Sequence, residues 1–321
     1  GRVNGLLYMR SDGIADRLRT QAARTSESAM SAAHGRRGED NPMTIRVEEL
    51  EQLANGVGWP PSNAGPLAEA LLENFASPDL RLRDALSLTL MDRLIEEGLL
   101  TLGERVALLQ AALDDCHLFA GIGESGTDSV FRRSFSVLVV PMVLGSDLGA
   151  GELTEDLLVW ALDRVLAYAR SERDWRGYVA NKGWAHAVAH TADALWIAGR
   201  HPRIPVTRVS DLLSAIHHLA TLPYPLGYLE DDRLAFAAYQ IIQSGRLNAD
   251  AIQTWLDSFQ LLTGPDDQVE TLGGANAEHF LRSLYFRFRA KDREHAWLDP
   301  IQAALDRFDI FLLYPPPDIE S

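Results

Sequence analysis

The chain has 321 residues, 46% of them hydrophobic, which is enough to bury a sizeable core and argues against global disorder. Its formal charge is −15, from 30 basic and 45 acidic residues; residues 1–42 contribute +2 and the remainder −17. So acidic a body repels phosphate backbones and anionic lipid, so neither a nucleic-acid nor a membrane partner is expected.

Residues 1–42 are rich in Ser, Ala, Arg and Gly and close on Gly-Arg-Arg-Gly-Glu-Asp-Asn-Pro. With Gly rather than Met at position 1, they read as a disordered or non-native N-terminal extension, and 43–321 as a single domain starting near Met43. From about residue 65 apolar residues fall at helical spacing, as in Leu67 to Phe75, Ala85 to Glu97 and Gly103 to Leu113. Ser77-Pro78-Asp79 and Thr154-Glu155-Asp156 look like helix openings. Breaks fall at Gly98, Gly121 to Gly126, Gly145 to Gly151, Gly199 to Pro205 and Pro223 to Gly227, and Asp266-Asp267 reads as a turn. From Ser136 to Val143 helix and strand both fit. The longest apolar run, Phe135 to Gly145, is shorter than the ~20 residues a bilayer span needs, and no apolar signal-peptide region opens the chain. Cys116 is the only cysteine, which excludes a disulfide framework and fits a reducing, cytoplasmic setting.

Similar helix starts recur at Arg83, Arg132, Lys182, Asp231 and His279, each leading into an apolar helix, a loop and a second amphipathic helix such as Leu153 to Ala169, Val209 to Ala220 or Ala249 to Gln260. The near-regular period predicts an all-α fold, a HEAT-like α-solenoid of about five helical pairs. An irregular helical domain is the alternative. A solenoid leaves a long concave surface on which residues one period apart are neighbours. Advancing one period from His190 reaches Tyr239, and a further period reaches Arg287, so both join the candidate ligand-binding residues.

The most informative stretch runs from Arg176 to Asp193. His186, His190 and Asp193 stand at i, i+4 and i+7, one face of a helix. Two imidazoles a turn apart suit a divalent metal such as zinc, with Asp193 as a third oxygen or a partner to an imidazole. The zinc-protease pattern needs Glu after the first His, where this chain has Ala187. The same three residues also suit metal-free acid–base catalysis, binding of an organic ligand, or a purely structural role. Arg176 and Lys182 precede Gly183, and cations beside a helix start suit an anion; a salt-bridged corner, for instance Arg176 with Asp174 or Glu172, is the alternative. Tyr178, Trp184 and Trp175 form an aromatic wall or part of the core. Glu230-Asp231-Asp232 reads as acids complementing a helix N-terminus. Cys116 and His117 are sequence neighbours pointing apart on a helix, so they make a poor catalytic pair.

Arg176-Gly-Tyr-Val, Lys182-Gly-Trp-Ala-His-Ala-Val-Ala-His and Asp193 together resemble the hallmark block of an uncharacterised bacterial family catalogued as a domain of unknown function. Phe131-Arg-Arg-Ser-Phe-Ser-Val-Leu, Glu230-Asp-Asp-Arg-Leu-Ala and Asn276-Ala-Glu-His-Phe-Leu-Arg resemble it more weakly, and the likeness spans roughly Arg46 to Phe308. It implies a helical fold and lends no reaction. The function expected is binding of a small molecule or protein segment on a concave helical face around His186, His190 and Arg176, with no cofactor. A metal-dependent or histidine-based hydrolase is the second expectation and a structural scaffold the third.

Overall fold

The computed structural model describes residues 45–260 and 267–308. The expectations for residues 1–42, for a start at Met43 and for a turn at Asp266 lie outside them. The first helices are α1 (Val47–Ala54), α2 (Ala64–Glu73), a π-helical segment Arg81–Leu88 that runs into α3 (Thr89–Glu96), and α4 (Leu102–Ala112). Next come α5 (Ser129–Ser136), α6 (Val139–Asp147) and α7 (Glu155–Ser171). An antiparallel hairpin follows, β1 (Tyr178–Val179) on β2 (Gly183–Trp184), pairing Tyr178 with Trp184 and Val179 with Gly183. Then come α8 (Ala187–Arg200), α9 (Val209–Ala220), α10 (Glu230–Gln243), α11 (Ala249–Asp257), α12 (Asp267–Lys291) and α13 (Leu298–Leu305).

Several helix starts are legible as caps. Thr101 and Glu104 exchange hydrogen bonds in a capping box ahead of α4. Thr154 accepts from the Leu157 N–H ahead of α7, where the Thr-Glu-Asp signal predicts a helix. Asn248 caps α11 through the Ala251 N–H at 2.8 Å. The ambiguous run Ser136 to Val143 is helical, mostly in α6.

The protein is thus mostly helical, in keeping with the all-α expectation, and the hairpin is the one sheet among the described residues. Helices α3, α6, α8, α10 and α12 pack each on the next, and so do α7, α9, α11 and α13. The run 129–147 is the one described helix long and apolar enough to cross a membrane, and 78% of its apolar window is buried inside the fold. The core is continuous, from Leu50 and Phe75 through Phe135, Leu166 and Leu195 to Phe280 and Phe288.

One expected register is corrected. Asp193 pairs with Arg233, Trp196 packs on Phe236 and Arg200 donates to Gln240, the last two residues 40 apart in sequence. Helix α8 therefore meets α10 at a shorter offset than the sequence period. The hairpin is the reason: it occupies residues that the period assigns to helix, so α8 starts late. Tyr239 consequently lies level with the far end of α8, with its ring 4.9 Å from Phe288, away from the histidines. Arg287 is engaged by Asp232 and lies over the Phe236 ring, 5.3 Å from its centroid.

Candidate functional site

The site forms where the hairpin meets the starts of α8 and α10. Three charged side chains hold the hairpin. Arg83, fully buried, donates to the carbonyls of Lys182 (2.7 Å), Trp184 (3.3 Å) and Ser77 (2.6 Å) and lies 4.0 Å above the Phe131 ring. Burial lowers its pKa to about 10, so it stays charged at neutral pH. Lys182 donates to both Asp128 oxygens at 2.7 Å. Arg176 grips the buried Asp174 at 2.7 and 2.6 Å and reaches the Thr127 carbonyl. Two glycines permit the close approach. A Cβ on Gly183 (φ +81°) would fall 2.9 Å from the Leu80 Cβ, and one on Gly177 would fall 2.3 Å from the Tyr228 ring and 2.6 Å from Glu230 Oε1.

Of the two readings of Arg176 and Lys182, this geometry matches the salt-bridged corner and not the anion site. Gly183 is in a strand, α8 starts at Ala187, and both cations are already matched by aspartates.

His186 does not share a helical face with His190. It is the residue before α8, in the left-handed region at φ 48° and ψ 36°, with its N–H on the Arg176 carbonyl at 3.1 Å. Its ring stacks on Trp184 at 4.2 Å and stands perpendicular to the His190 ring at 5.9 Å. Leu229 makes the same left-handed bend (φ 66°) ahead of α10. That bend brings Glu230 beside His186, with Nε2 and Oε1 3.7 Å apart. This is too long for a hydrogen bond, and His186 Nε2 is buried with no hydrogen-bond partner. Glu230 is only 1% exposed; its other oxygen accepts from the Tyr228 N–H at 2.7 Å.

His190 is buried deeper. Its Nδ1 donates to the Ser134 carbonyl at 2.9 Å, which leaves Nε2 the acceptor in the neutral ring. Burial, then the His186 and Arg233 charges, hold its pKa well below the usual value. His186 is pushed down to about 3 by burial and by Arg233. Glu230 is pushed up, chiefly by burial. Both imidazoles are therefore neutral at physiological pH.

Asp193 is turned to Arg233, 3.3 Å away, rather than to the imidazoles. Among the described residues no three His, Cys, Asp or Glu side chains converge as a metal site. The metal trio His186, His190 and Asp193 is thus separated: one residue lies outside the helix, one donates inward, and one is ion-paired.

Aromatic residues cover the pair. Tyr178 and Tyr228 stand edge-to-face on Trp184 at 4.9 and 5.6 Å, and both remain nearly half exposed, at 45% and 49%. Trp175 packs instead on Tyr224. The structure therefore gathers Tyr178, Trp184, His186 and His190 of the predicted residues. It adds Glu230, Tyr228 and Arg233, which the sequence period missed. Matching the helix starts Ala187 and Glu230 rather than the recurring sequence blocks would have set α10 six residues closer and pointed to Glu230.

Residues 118–286 match the family described as "Protein of unknown function (DUF2785)", so the chain belongs to that family. No curated protein and no solved structure matches the chain.

Proposed function

We propose that this DUF2785 member is a small-molecule binding protein whose recognition site is the His186–Glu230 pair under Tyr178, Trp184 and Tyr228. One observation carries the reading. A buried imidazole nitrogen has no hydrogen-bond partner and faces a buried carboxylate across a gap wider than a hydrogen bond. An unmet buried polar group costs ~1–3 kcal/mol. Two non-glycine residues held at positive φ, His186 and Leu229, create the gap and add their own cost of ~1–3 kcal/mol each. A ligand that bridges the gap recovers the cost of the unmet hydrogen bond. The two rows of successively packed helices support a HEAT-like solenoid as the frame that holds this corner rigid.

A thermal-shift screen of metabolites on wild type and His186→Ala tests the proposal. At least one compound is expected to raise the wild-type melting temperature and to lose that effect in the variant. A broad screen in which no compound separates the two proteins overturns it.

The opposite displacements of the His186 and Glu230 pKa values favour a second reading, acid–base catalysis by that pair. Asp193, occupied by Arg233, has no part in it.

A further inference from the structure

Four buried carboxylates besides Glu230 have named partners. Glu172 holds Arg133, Asp174 holds Arg176 and Asp193 holds Arg233. Asp147 accepts from the N–H groups of Glu152 and Leu153 and lies 3.3 Å from His201 Nε2. Glu230 differs from these four. Among the described residues no lysine or arginine pairs with it, and its Oε1 lies 3.7 Å from the neutral His186. Burying a carboxylate without a counter-charge is unfavourable, and a cation is what relieves it.

Taking His186 and Glu230 as the ligand site proposed above, we infer that the occupant is an organic cation. A primary or alkylated ammonium group sits between Glu230 Oε1 and His186 Nε2, with its carbon substituents against Tyr178, Trp184 and Tyr228. An ammonium donates to both acceptors at once, whereas an alcohol supplies one proton and no charge. Aromatic faces attract a cation that has left water. Arg233, the cation that acts on both imidazoles, is matched by Asp193. Arg176 and Lys182 are likewise tied to aspartates, so the corner has no cation set aside for an anion. The net charge of −15 favours a cation's approach.

The test follows the His186 ring resonances by NMR in full-length protein while n-butylammonium, 1-butanol or butyrate is added at about 0.15 M salt, where surface attraction is screened. The butylammonium ion is expected to shift His186 saturably. Glu230→Gln should weaken that response about tenfold or more, the loss of one charge-assisted contact. His186→Gln, read through the Trp184 indole, should weaken it too. Arg93→Ala, on α3, which removes a surface pair with Glu97, should leave it unchanged, and 1-butanol and butyrate should have no saturable effect. An equal response to 1-butanol overturns the ammonium assignment while leaving a small-molecule site standing. A butylammonium response undiminished in Glu230→Gln overturns it as well, as does the absence of any response; the metabolite screen then decides the broader proposal by itself.

Discussion

Two buried polar clusters flank the segment from Glu172 to His186, and they differ in how fully their hydrogen-bonding needs are met. In the first, Arg133 makes a bidentate pair with Glu172 at 2.6 and 2.9 Å and also donates to Ala120, Gly121 and Ser129. Glu172 in turn accepts from the Arg173 and Asp174 N–H groups. In the second, His186 and Glu230 face each other without a hydrogen bond, on a backbone bent at two positive-φ residues. A saturated network ties the loop around Gly121 to the end of α7. An unsaturated one leaves chemistry for something else to complete. The difference separates a buried charge that builds the fold from one that, on the proposed reading, is set aside for a ligand.

Removing one partner of the saturated cluster should have the largest effect. Arg133→Met leaves Glu172 buried and unpaired and should cost ~3–5 kcal/mol in urea unfolding. A loss under ~1 kcal/mol would break the comparison. Gly183→Ala comes next. A Cβ there meets the Leu80 Cβ in a left-handed backbone, so ~1–3 kcal/mol is expected, with the hairpin detached and Trp184 fluorescence changed.

The pH response is smaller. His186 binds a proton in the unfolded chain below about pH 6.5 but in the folded protein only near 3, so acid favours unfolding across that window. Its share should be about 1 kcal/mol lost between pH 7 and 5.5, seen as a flatter stability profile in His186→Gln. Glu230 acts in the opposite sense. Its raised pKa makes it a source of instability that grows as pH rises above its unfolded value of 4.5. The smallest effect is expected of Lys182→Ala, which removes a half-exposed pair with Asp128 worth under ~1 kcal/mol in urea unfolding.

Much of this architecture is legible in the residues. The caps at Thr154 and Asn248 and the apolar spacing of Val209 to Ala220 are local signals, and the helices begin where those signals fall. The block from Arg176 to Asp193 does hold the candidate site. What is not legible is how its members are disposed. Helical spacing places His186 and His190 on one face, yet the hairpin ends at Trp184 and His186 turns left-handed before the helix begins. Asn181 and Gly183, both at positive φ, are the local hint of that turn. Glu230 is invisible for a different reason. Three acids at a helix start suffice to complement its dipole, and only the tertiary register singles out the first of them. Arg176 and Lys182 divide on the same limit: Asp174, two residues from Arg176, is a partner the sequence offers, whereas the Lys182 partner Asp128, 54 residues away, is not.

The central claim, that Glu230 is set aside for a ligand rather than needed by the fold, is tested most directly by the unfolding free energy of Glu230→Gln at pH 8. The substitution keeps an oxygen for the Tyr228 N–H and removes a buried charge that has no cation. Stability unchanged or raised is the predicted result. A loss of ~2 kcal/mol or more would contradict it and make Glu230 a structural cap of α10.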